Sequence, residues 1–248
     1  MTADDESDPG AERVDGGNGD SVTRAAGEVQ AVYDRIADHF AKTREYAWPE
    51  VEAFVDDEID RHGLDRALDI GCGNARHAEL LAEQGAMVVG LDVSRELLGA
   101  AQKRRQERGF AADFVHGDAA GLPFAANSFS QVVYVATLHH LRPAATRQRS
   151  LAEVGRVLEP GGRALVSAWS TAHDRFDRDS SFETEIEWTL PGGETVDRYY
   201  YIYDPAAFRD TLAAVPEIDC VSMRVSSGNC YAVVAPADDA ESSTADSD

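Results

Sequence analysis

Two glycines one residue apart, Gly71 and Gly73, follow an acidic residue in the segment Leu-Asp-Ile-Gly-Cys-Gly-Asn at residues 68–74. Glycine has no β-carbon, so the backbone at such positions can approach a ligand closely and adopt conformations that other residues avoid. The apolar residues before the turn indicate a buried strand that ends there. The segment predicts a turn whose backbone contacts a nucleoside cofactor, although a simple strand-to-helix turn would show the same local pattern.

The residue three positions after the second glycine distinguishes two classes of nucleoside cofactor. A dinucleotide site of the NAD type requires a third glycine there, which lets the following helix pack close to the strand beneath the pyrophosphate. In this sequence the position is Arg76. S-Adenosylmethionine carries no phosphate and needs room only for its methionine and ribose. Arg76 therefore favours S-adenosylmethionine over NAD.

Acidic residues also end two apolar runs downstream of the glycine turn. Asp92 ends residues 87–92, about 20 positions after the turn, where a carboxylate can accept hydrogen bonds from both ribose hydroxyls. Asp118 ends residues 113–118, where it could accept a hydrogen bond from the adenine amino group. Either acid alone is typical of a loop or a helix cap. Together with Asp69 they are three acids at strand ends, and this set predicts a methyl-transfer enzyme.

Strand-like and helix-like segments alternate along the chain. Helices are predicted at residues 28–45 and 50–61, and strands at residues 67–70, 86–91, 112–116, 131–136, 163–169, 220–225 and 231–235. This alternation predicts an α/β fold with a doubly wound, mostly parallel sheet, whose ligand crevice lies at the carboxyl ends of the strands.

Residues 170–203 are predicted to form a lid over this crevice. Polar and apolar residues alternate on both sides of a Pro-Gly-Gly turn at residues 191–193, which is typical of a β-hairpin. Such a hairpin would bring Arg198 near the crevice. Packing of the lid on the sheet explains Tyr199 and Tyr201 better than a direct role in the site.

Composition limits the class of protein. The 248 residues are 43% hydrophobic, which is sufficient for a substantial core, and no apolar run approaches the roughly 20 residues that a membrane span needs. No charged-then-apolar leader opens the chain, and Cys72, Cys220 and Cys230 lack the spacing of a metal or disulfide site. We therefore expect a soluble, cytoplasmic, one-domain protein without a metal site.

The net charge of −22 is distributed unevenly, and only Lys42 and Lys103 are lysines. Residues 1–30 contribute −6 and residues 236–248 contribute −5, which leaves −11 on the centre. We expect disordered acidic tails at residues 1–27 and 236–248 around a methyltransferase domain at residues 28–235. A surface rich in acids and poor in lysine is typical of halophilic proteins. The central charge still permits an arginine-rich groove for RNA.

Four segments resemble the class I S-adenosylmethionine-dependent methyltransferases over residues 30–170. They are Leu-Asp-Ile-Gly-Cys-Gly-Asn at residues 68–74, Gly-Leu-Asp-Val-Ser at 90–94, Gly-Asp-Ala at 117–119 and Leu-Glu-Pro-Gly-Gly at 158–162. The resemblance implies a Rossmann-like, seven-stranded sheet whose last strand is antiparallel. Ala75 stands where the family often has a third glycine, and alanine is small enough that we expect cofactor binding to survive.

A narrower resemblance links the chain to the tRNA wobble-uridine carboxymethyl methyltransferases. It rests on Tyr-Asp-Arg-Ile-Ala-Asp-His-Phe at residues 33–40, Thr-Arg at 43–44, Trp-Pro-Glu-Val at 48–51, Leu-His-His-Leu at 138–141 and Arg-Tyr-Tyr-Tyr-Ile-Tyr at 198–203. That family esterifies the 5-carboxymethyl group of the wobble uridine. The resemblance implies tRNA as substrate and a heterodimer with a small zinc-binding activator protein.

The same resemblance implies the residues of the site. An ionised carboxylate acceptor needs a cation, a hydrogen-bond donor and an aromatic face for the base, but no general base. We expect these catalytic roles to be filled by Arg44, Arg198, His140 and Trp169. The implied cofactor site consists of Tyr33, Arg44, Asp69, Gly71, Gly73, Asp92, Asp118, Ala119 and Thr137.

Several alternatives stay open at the level of sequence. His139 and His140 could simply bind backbone, Arg44 could contact either cofactor or substrate, and Trp48 fits core packing better than base stacking. Basic clusters at residues 103–108 and 142–149 are typical of RNA contacts and equally of solvated helix faces. A methyltransferase for a quinone or a free carboxylic acid, or a non-catalytic S-adenosylmethionine-binding protein, would share the core motifs.

Overall fold

The computed structural model describes residues 17–62 and 64–237. No helix among these residues is long and apolar enough to cross a membrane. The helices are α1 (Gly17–Lys42), α2 (Pro49–His62), α3 (Arg76–Glu83), α4 (Arg95–Arg108), α5 (Ala144–Val157) and α6 (Pro205–Ala213), with a short 3₁₀ helix at Leu138–His140. The strands are β1 (Arg66–Ile70), β2 (Met87–Asp92), β3 (Ala112–His116), β4 (Phe129–Tyr134), β5 (Leu158–Trp169), β6 (Phe182–Thr189), β7 (Thr195–Ile202), β8 (Ile218–Ser226) and β9 (Asn229–Pro236).

Seven strands form one sheet in the order β3-β2-β1-β4-β5-β9-β8. Strands β1 to β5 are parallel, and β9 runs antiparallel to both of its neighbours. The predicted seven-stranded, mostly parallel sheet with an antiparallel last strand is confirmed. Ile70 of β1 pairs with Leu91 of β2, which in turn pairs with Val115 of β3. The carboxyl ends of these strands therefore meet at one edge, where the glycine turn and the acids lie.

Alternate residues of the central strand β4 enter two different hydrophobic cores. Val132 and Tyr134 pack with side chains of α5 and α6, whereas Val133 packs with side chains of α2 and α3. Because successive side chains of a strand point to opposite faces, helices cover both sides of the sheet. This arrangement is the doubly wound architecture that the sequence predicted.

The start of α4 holds α1 beside the carboxyl edge of the sheet. The Ser94 hydroxyl caps α4 by accepting a hydrogen bond from the Leu97 N–H at 3.1 Å. The same hydroxyl donates to Asp34 of α1 at 2.6 Å. Since α4 follows directly after β2, this contact fixes α1 above the end of that strand.

Helix α1 begins at Gly17, earlier than the predicted helix start at residue 28. Residues 17–27, which we had expected in the N-terminal tail, are therefore helical. Ala26 and Val29 of this helix border the cleft described below. The composition of residues 1–30 did not predict these contacts, because acids and small residues dominate this segment. Residues 1–16 and 238–248, which hold most of the two predicted tails, lie outside the described residues.

Strands β6 and β7 form a separate antiparallel hairpin around the Pro-Gly-Gly turn at residues 191–193, as the sequence predicted. Ile186 pairs with Arg198, and Trp188 pairs with Val196. Strand β7 packs on α1 and on the 3₁₀ helix that follows β4. The hairpin therefore brings its inner face to the carboxyl edge of the sheet.

Candidate active site

An open cleft lies along the carboxyl edge of the sheet, where doubly wound folds bind their ligands. Its walls are the glycine turn after β1, the end of β2, the loops after β3 and β4, and one side of α1. The predicted cofactor residues that line it are Tyr33, Gly71, Gly73, Asp92, Asp118, Ala119 and Thr137.

The glycine turn has left-handed backbone at three positions. Gly71 has φ +70°, and a β-carbon there would lie 2.1 Å from Oγ1 of Thr137, so a side chain cannot fit beneath the loop after β4. A β-carbon on Gly73 would meet only Phe40 among the described residues, at 3.7 Å, so this backbone faces free space in the cleft. Ala75, at the third-glycine position of the resemblance, has φ 65° and caps α3.

Asp92 is buried at the end of β2, and backbone N–H groups hold both of its carboxylate oxygens. Oδ2 accepts a hydrogen bond from the N–H of Gly73 and Oδ1 from that of Ser94, each at 2.8 Å. Burial raises the pKa of Asp92 to about 6, although these hydrogen bonds lower it. Each oxygen keeps a second lone pair. A fixed carboxylate, mostly ionised at neutral pH, can therefore accept hydrogen bonds from the two hydroxyls of a ribose.

Asp69 lies below the cleft and does not border it. Its Oδ2 accepts a hydrogen bond from the N–H of Ala78 at 3.1 Å, in the first turn of α3. Burial raises the pKa of this carboxyl to about 7, and the charge of Arg76 opposes the rise. The geometry gives Asp69 a supporting position, since it ties α3 to the end of β1 beneath the glycine turn.

Asp118 follows β3 and lines the part of the cleft next to Ala119. Its Oδ1 accepts a hydrogen bond from the N–H of Ala120 at 2.9 Å, which fixes the side chain in a tight turn. A carboxylate has about four acceptor positions. Asp118 therefore keeps capacity to accept a hydrogen bond from the amino group of a purine.

Tyr33 and His140 form a hydrogen-bonded pair between α1 and the loop after β4. The Tyr33 hydroxyl lies 2.7 Å from Nε2 of His140, and Nδ1 of His140 lies 2.8 Å from the carbonyl oxygen of Tyr199. A carbonyl only accepts, so Nδ1 carries the proton and Nε2 accepts from Tyr33. Burial lowers the pKa of His140 to about 4. His140 is thus neutral, and both of its nitrogens are engaged within the protein.

Arg44 and Arg198 come together beside this pair. Neither has a carboxylate within salt-bridge distance among the described residues. Arg198 is only 7% exposed, and its Nε has no hydrogen-bond partner within the same residues. Burial, followed by the charge of Arg198, lowers the pKa of Arg44. A buried cation without a counter-charge is costly. Arg198 is buried and Arg44 is half-buried, so an anion beside them would supply a counter-charge that the described residues do not.

The aromatic ring beside the arginines is Trp188, which the sequence analysis did not single out. Its centroid lies 4.8 Å from Cζ of Arg198 and 5.6 Å from that of Arg44. Trp169, the predicted aromatic, stacks instead on His173 at 5.3 Å and packs 5.0 Å from Tyr200. It borders neither the cleft nor the arginines. The hairpin register could have identified Trp188, because it places this residue diagonally next to Arg198 on the same face.

Asn74 links the glycine turn to the segment that carries Arg44, and the sequence analysis also missed it. Its side-chain Nδ2 donates hydrogen bonds to the carbonyls of Ala41, at 3.1 Å, and Arg44, at 2.8 Å. Arg104 donates to the neighbouring carbonyl of Glu45 at 2.6 Å. The position of Arg44 is therefore coupled to the cofactor turn.

Three arginines of the two basic clusters make ion pairs or aromatic contacts within the protein. Arg104 and Arg108 pair with Glu79, and Arg108 also pairs with Glu45. Arg147 is buried and lies 4.0 Å from the centroid of the Tyr201 ring. These contacts favour the structural interpretation of the three arginines over an RNA-binding one.

Comparisons with known proteins agree with this geometry. The profile of a family described as "Methyltransferase domain" matches residues 68–166. The tRNA (carboxymethyluridine(34)-5-O)-methyltransferase of Arabidopsis thaliana is 30% identical over 171 residues, which cover 69% of this chain and 38% of that protein. The chain thus spans less than half the length of this relative. A candidate methyltransferase of Encephalitozoon cuniculi is 30% identical over 181 residues, which cover 71% of this chain and 80% of that protein.

Among solved structures, the fold is similar to that of Burkholderia thailandensis 1,6-didemethyltoxoflavin-N1-methyltransferase with bound 1,6-didemethyltoxoflavin and S-adenosylhomocysteine. The TM-score is 0.66 with 19% identity, and the match covers 94% of each chain. At this identity the likeness establishes a shared fold only.

Proposed function

Since the chain belongs to the class I S-adenosylmethionine-dependent methyltransferases, we propose that it esterifies the 5-carboxymethyl group of the wobble uridine in tRNA. The observation that carries this proposal is the pair of arginines, Arg44 and Arg198, beside the cofactor cleft. Both lack a carboxylate partner among the described residues. A carboxylate on the substrate would supply the missing counter-charge.

S-Adenosylmethionine, when bound, supplies an electrophilic methyl group on a positively charged sulfur. The cleft fits this cofactor through Asp92, whose fixed carboxylate suits the ribose, and through Asp118, which suits the adenine. The backbone of Gly73 borders the free space that the methionine part requires. No residue in this part of the cleft needs to hold a phosphate.

The acceptor needs orientation and not deprotonation. A carboxyl group with a pKa of about 4 is already ionised at neutral pH. One of its oxygens forms the new bond to the methyl carbon as the carbon–sulfur bond breaks, and the electron pair of that bond stays on sulfur. No proton is transferred. Arg44 and Arg198 bind the acceptor charge. Tyr33, held by His140, lines both the cofactor cleft and the neighbouring pocket that Arg198 lines.

The same geometry favours a carboxylate over a quinol as acceptor. Methylation of a neutral hydroxyl requires a general base. Nε2 of His140 already accepts from Tyr33, and Nδ1 donates to Tyr199. A neutral acceptor would also leave the charges of Arg44 and Arg198 without a partner. The anion site therefore argues against the small-molecule alternative with a quinone acceptor.

The proposal includes a partner protein. The resemblance that suggests the tRNA substrate also suggests a heterodimer with a small zinc-binding activator. Val221 and Val225 are exposed apolar side chains on β8, the edge strand of the sheet, and an exposed apolar edge strand can pair with another protein. Co-expression with such an activator should raise the soluble yield of the chain.

Nucleoside mass spectrometry of total tRNA tests the function directly. Cells that lack the gene should lose the methyl ester of 5-carboxymethyluridine and accumulate its acid or amide. Re-expression of the wild-type gene should restore the ester, whereas an Arg198→Met gene should not. An unchanged nucleoside profile in the deletion would contradict the tRNA substrate and direct the search to small carboxylic acids.

A further inference from the structure

Trp188 connects the hairpin to α1. Its Nε1–H donates a hydrogen bond to Nδ1 of His39 at 3.1 Å. The two rings meet edge to face, with centroids 5.4 Å apart and an angle of 66°. The ring of Phe40 lies 5.6 Å away on the same helix. The indole is therefore held from α1 by a directed hydrogen bond and by two rings.

The same indole contacts two cations that come from different elements. Arg198 belongs to β7, and its Cζ lies 4.8 Å from the indole centroid. Arg44 follows α1, and its Cζ lies 5.6 Å from that centroid. Both distances are within the roughly 6 Å at which a cation is attracted by an aromatic ring. Trp188 is thus a shared contact for the two arginines of the anion site.

The guanidiniums of the buried Arg198 and the half-buried Arg44 carry like charge and repel each other. Burial is the largest cause of the lowered pKa of Arg44, and the charge of Arg198 is the next. A neutral aromatic ring beside both groups offsets part of the repulsion without neutralising either charge. A carboxylate in this position would offset more, but it would also occupy the site that the acceptor requires.

We propose that Trp188 is a positioning residue that holds Arg44 and Arg198 at the spacing needed to bind the acceptor carboxylate when the hairpin lies on α1. This inference rests on the proposed function. Trp188 acts through the arginines, so its contribution should appear only for acceptors that carry the negative charge.

The test compares two anticodon stem-loops that differ in one charge. One carries 5-carboxymethyluridine at the wobble position, and the other carries the neutral 5-carbamoylmethyluridine. The wild-type chain should bind the charged RNA about tenfold or more tightly than the neutral one. Trp188→Leu should reduce this ratio to near one, and Trp188→Phe, which keeps an aromatic face, should retain most of it. Affinity for S-adenosylhomocysteine should stay unchanged in both variants.

The ratio separates loss of the anion site from global damage to the fold, because global damage would weaken the binding of both RNAs equally. General loosening of the hairpin needs its own control, because Arg198 lies on β7. Phe182→Leu is the matched control, since Phe182 lies on the same strand but packs on Phe176. It should keep the wild-type ratio. If Trp188→Leu also keeps that ratio, the inference is overturned while the proposed function stands. If the wild-type chain shows no preference for the charged RNA, the proposed function fails and this inference fails with it.

Discussion

The Tyr33 hydroxyl donates a hydrogen bond of 2.7 Å to Nε2 of His140, while Nδ1 of the same ring donates to the carbonyl of Tyr199 at 2.8 Å. One neutral imidazole thus joins α1, the loop after β4 and the hairpin strand β7. Burial lowers the pKa of His140 to about 4, so the pair stays intact at neutral pH. His140 therefore fixes Tyr33 at the boundary between the cleft and the hairpin.

A double-mutant cycle tests this pair. Tyr33→Phe and His140→Phe should each lower kcat/KM for tRNA about tenfold or more, since each leaves a buried polar partner without its hydrogen bond. The double variant should lose little more than the worse single variant, because both changes remove the same interaction. Steady-state kinetics at pH 7.5, above the pKa of about 4 for His140, supply the comparison. Fully additive losses would contradict the coupling.

Replacing an arginine of the anion site should act on the acceptor and not on the cofactor. Arg198→Met should lower kcat/KM for tRNA by about 10- to 100-fold, the range expected when a charge-assisted hydrogen bond is lost. Calorimetry should show unchanged affinity for S-adenosylhomocysteine. Arg209→Met on α6 is the charge-matched control, since Arg209 is exposed. Equal losses in the two variants would point to net charge instead of a site.

Ala75 is a non-glycine residue with left-handed backbone, at φ 65° and ψ 27°. Ala75→Gly should raise the free energy of unfolding by about 0.5–1 kcal/mol, because the relief of this strain exceeds the added chain entropy of glycine. Ala78→Gly, within α3, should have the opposite sign. It should cost about 1 kcal/mol of helix propensity and a further amount for the buried methyl group that it removes. Thermal unfolding of the wild type, Ala75→Gly and Ala78→Gly measures both changes in stability. A loss of stability in Ala75→Gly would show that the turn does not hold Ala75 under strain.

The sheet and its ligand edge could be predicted because local patterns encode them. Gly71, Asp92 and Asp118 each follow an apolar run, and parallel pairing necessarily brings their carboxyl ends to one edge. The hairpin could also be predicted from the sequence, since polar and apolar residues alternate on both sides of the Pro-Gly-Gly turn and define its two strands. The positions of these residues followed from their neighbours in the sequence.

Contacts between distant segments could not be predicted in the same way. Trp188 donates a hydrogen bond to His39, which is 149 positions away in the chain, and no local sequence pattern predicts that contact. Trp169 has the residue type that the acceptor site needs, but the end of β5 turns it toward His173. Asn74 lies inside the motif that identified the site, yet its contact with the Arg44 carbonyl depends on where α1 ends. Residue type was predictable, whereas the choice among residues of one type depended on packing.

The pKa of about 7 at Asp69 has a consequence for stability. Its usual value is about 4, so between about pH 4 and pH 7 the folded state keeps a proton that the unfolded state has lost. The contribution of Asp69 to stability therefore falls as pH rises through this window. Asp69→Asn mimics the protonated form and should raise the free energy of unfolding at pH 8 by up to about 4 kcal/mol.

Denaturant unfolding of Asp69→Asn at pH 5, 6.5 and 8 measures this effect. The advantage of the variant over the wild type should grow with pH and level off above pH 7. Asp210→Asn is the control for the change in net charge, since Asp210 is exposed on α6. A pH-independent difference for Asp69→Asn would mean that the carboxyl is ionised in the folded state throughout the window.

Gly71 and Thr137 are a matched pair in which one residue leaves the space that the other fills. A β-carbon at Gly71 would lie 2.1 Å from Oγ1 and 2.7 Å from Cγ2 of Thr137. Gly71→Ala should therefore lower the free energy of unfolding by at least about 2 kcal/mol, from steric overlap and left-handed strain together. Gly71→Ala with Thr137→Ala should recover part of that loss, because the second change removes Oγ1 and Cγ2 and leaves only the Cβ of residue 137, at 2.9 Å, in close contact. Differential scanning fluorimetry of the wild type, the two single variants and the double variant measures the loss of stability and its recovery. No recovery in the double variant would show that Oγ1 and Cγ2 of Thr137 are not what excludes a side chain at residue 71.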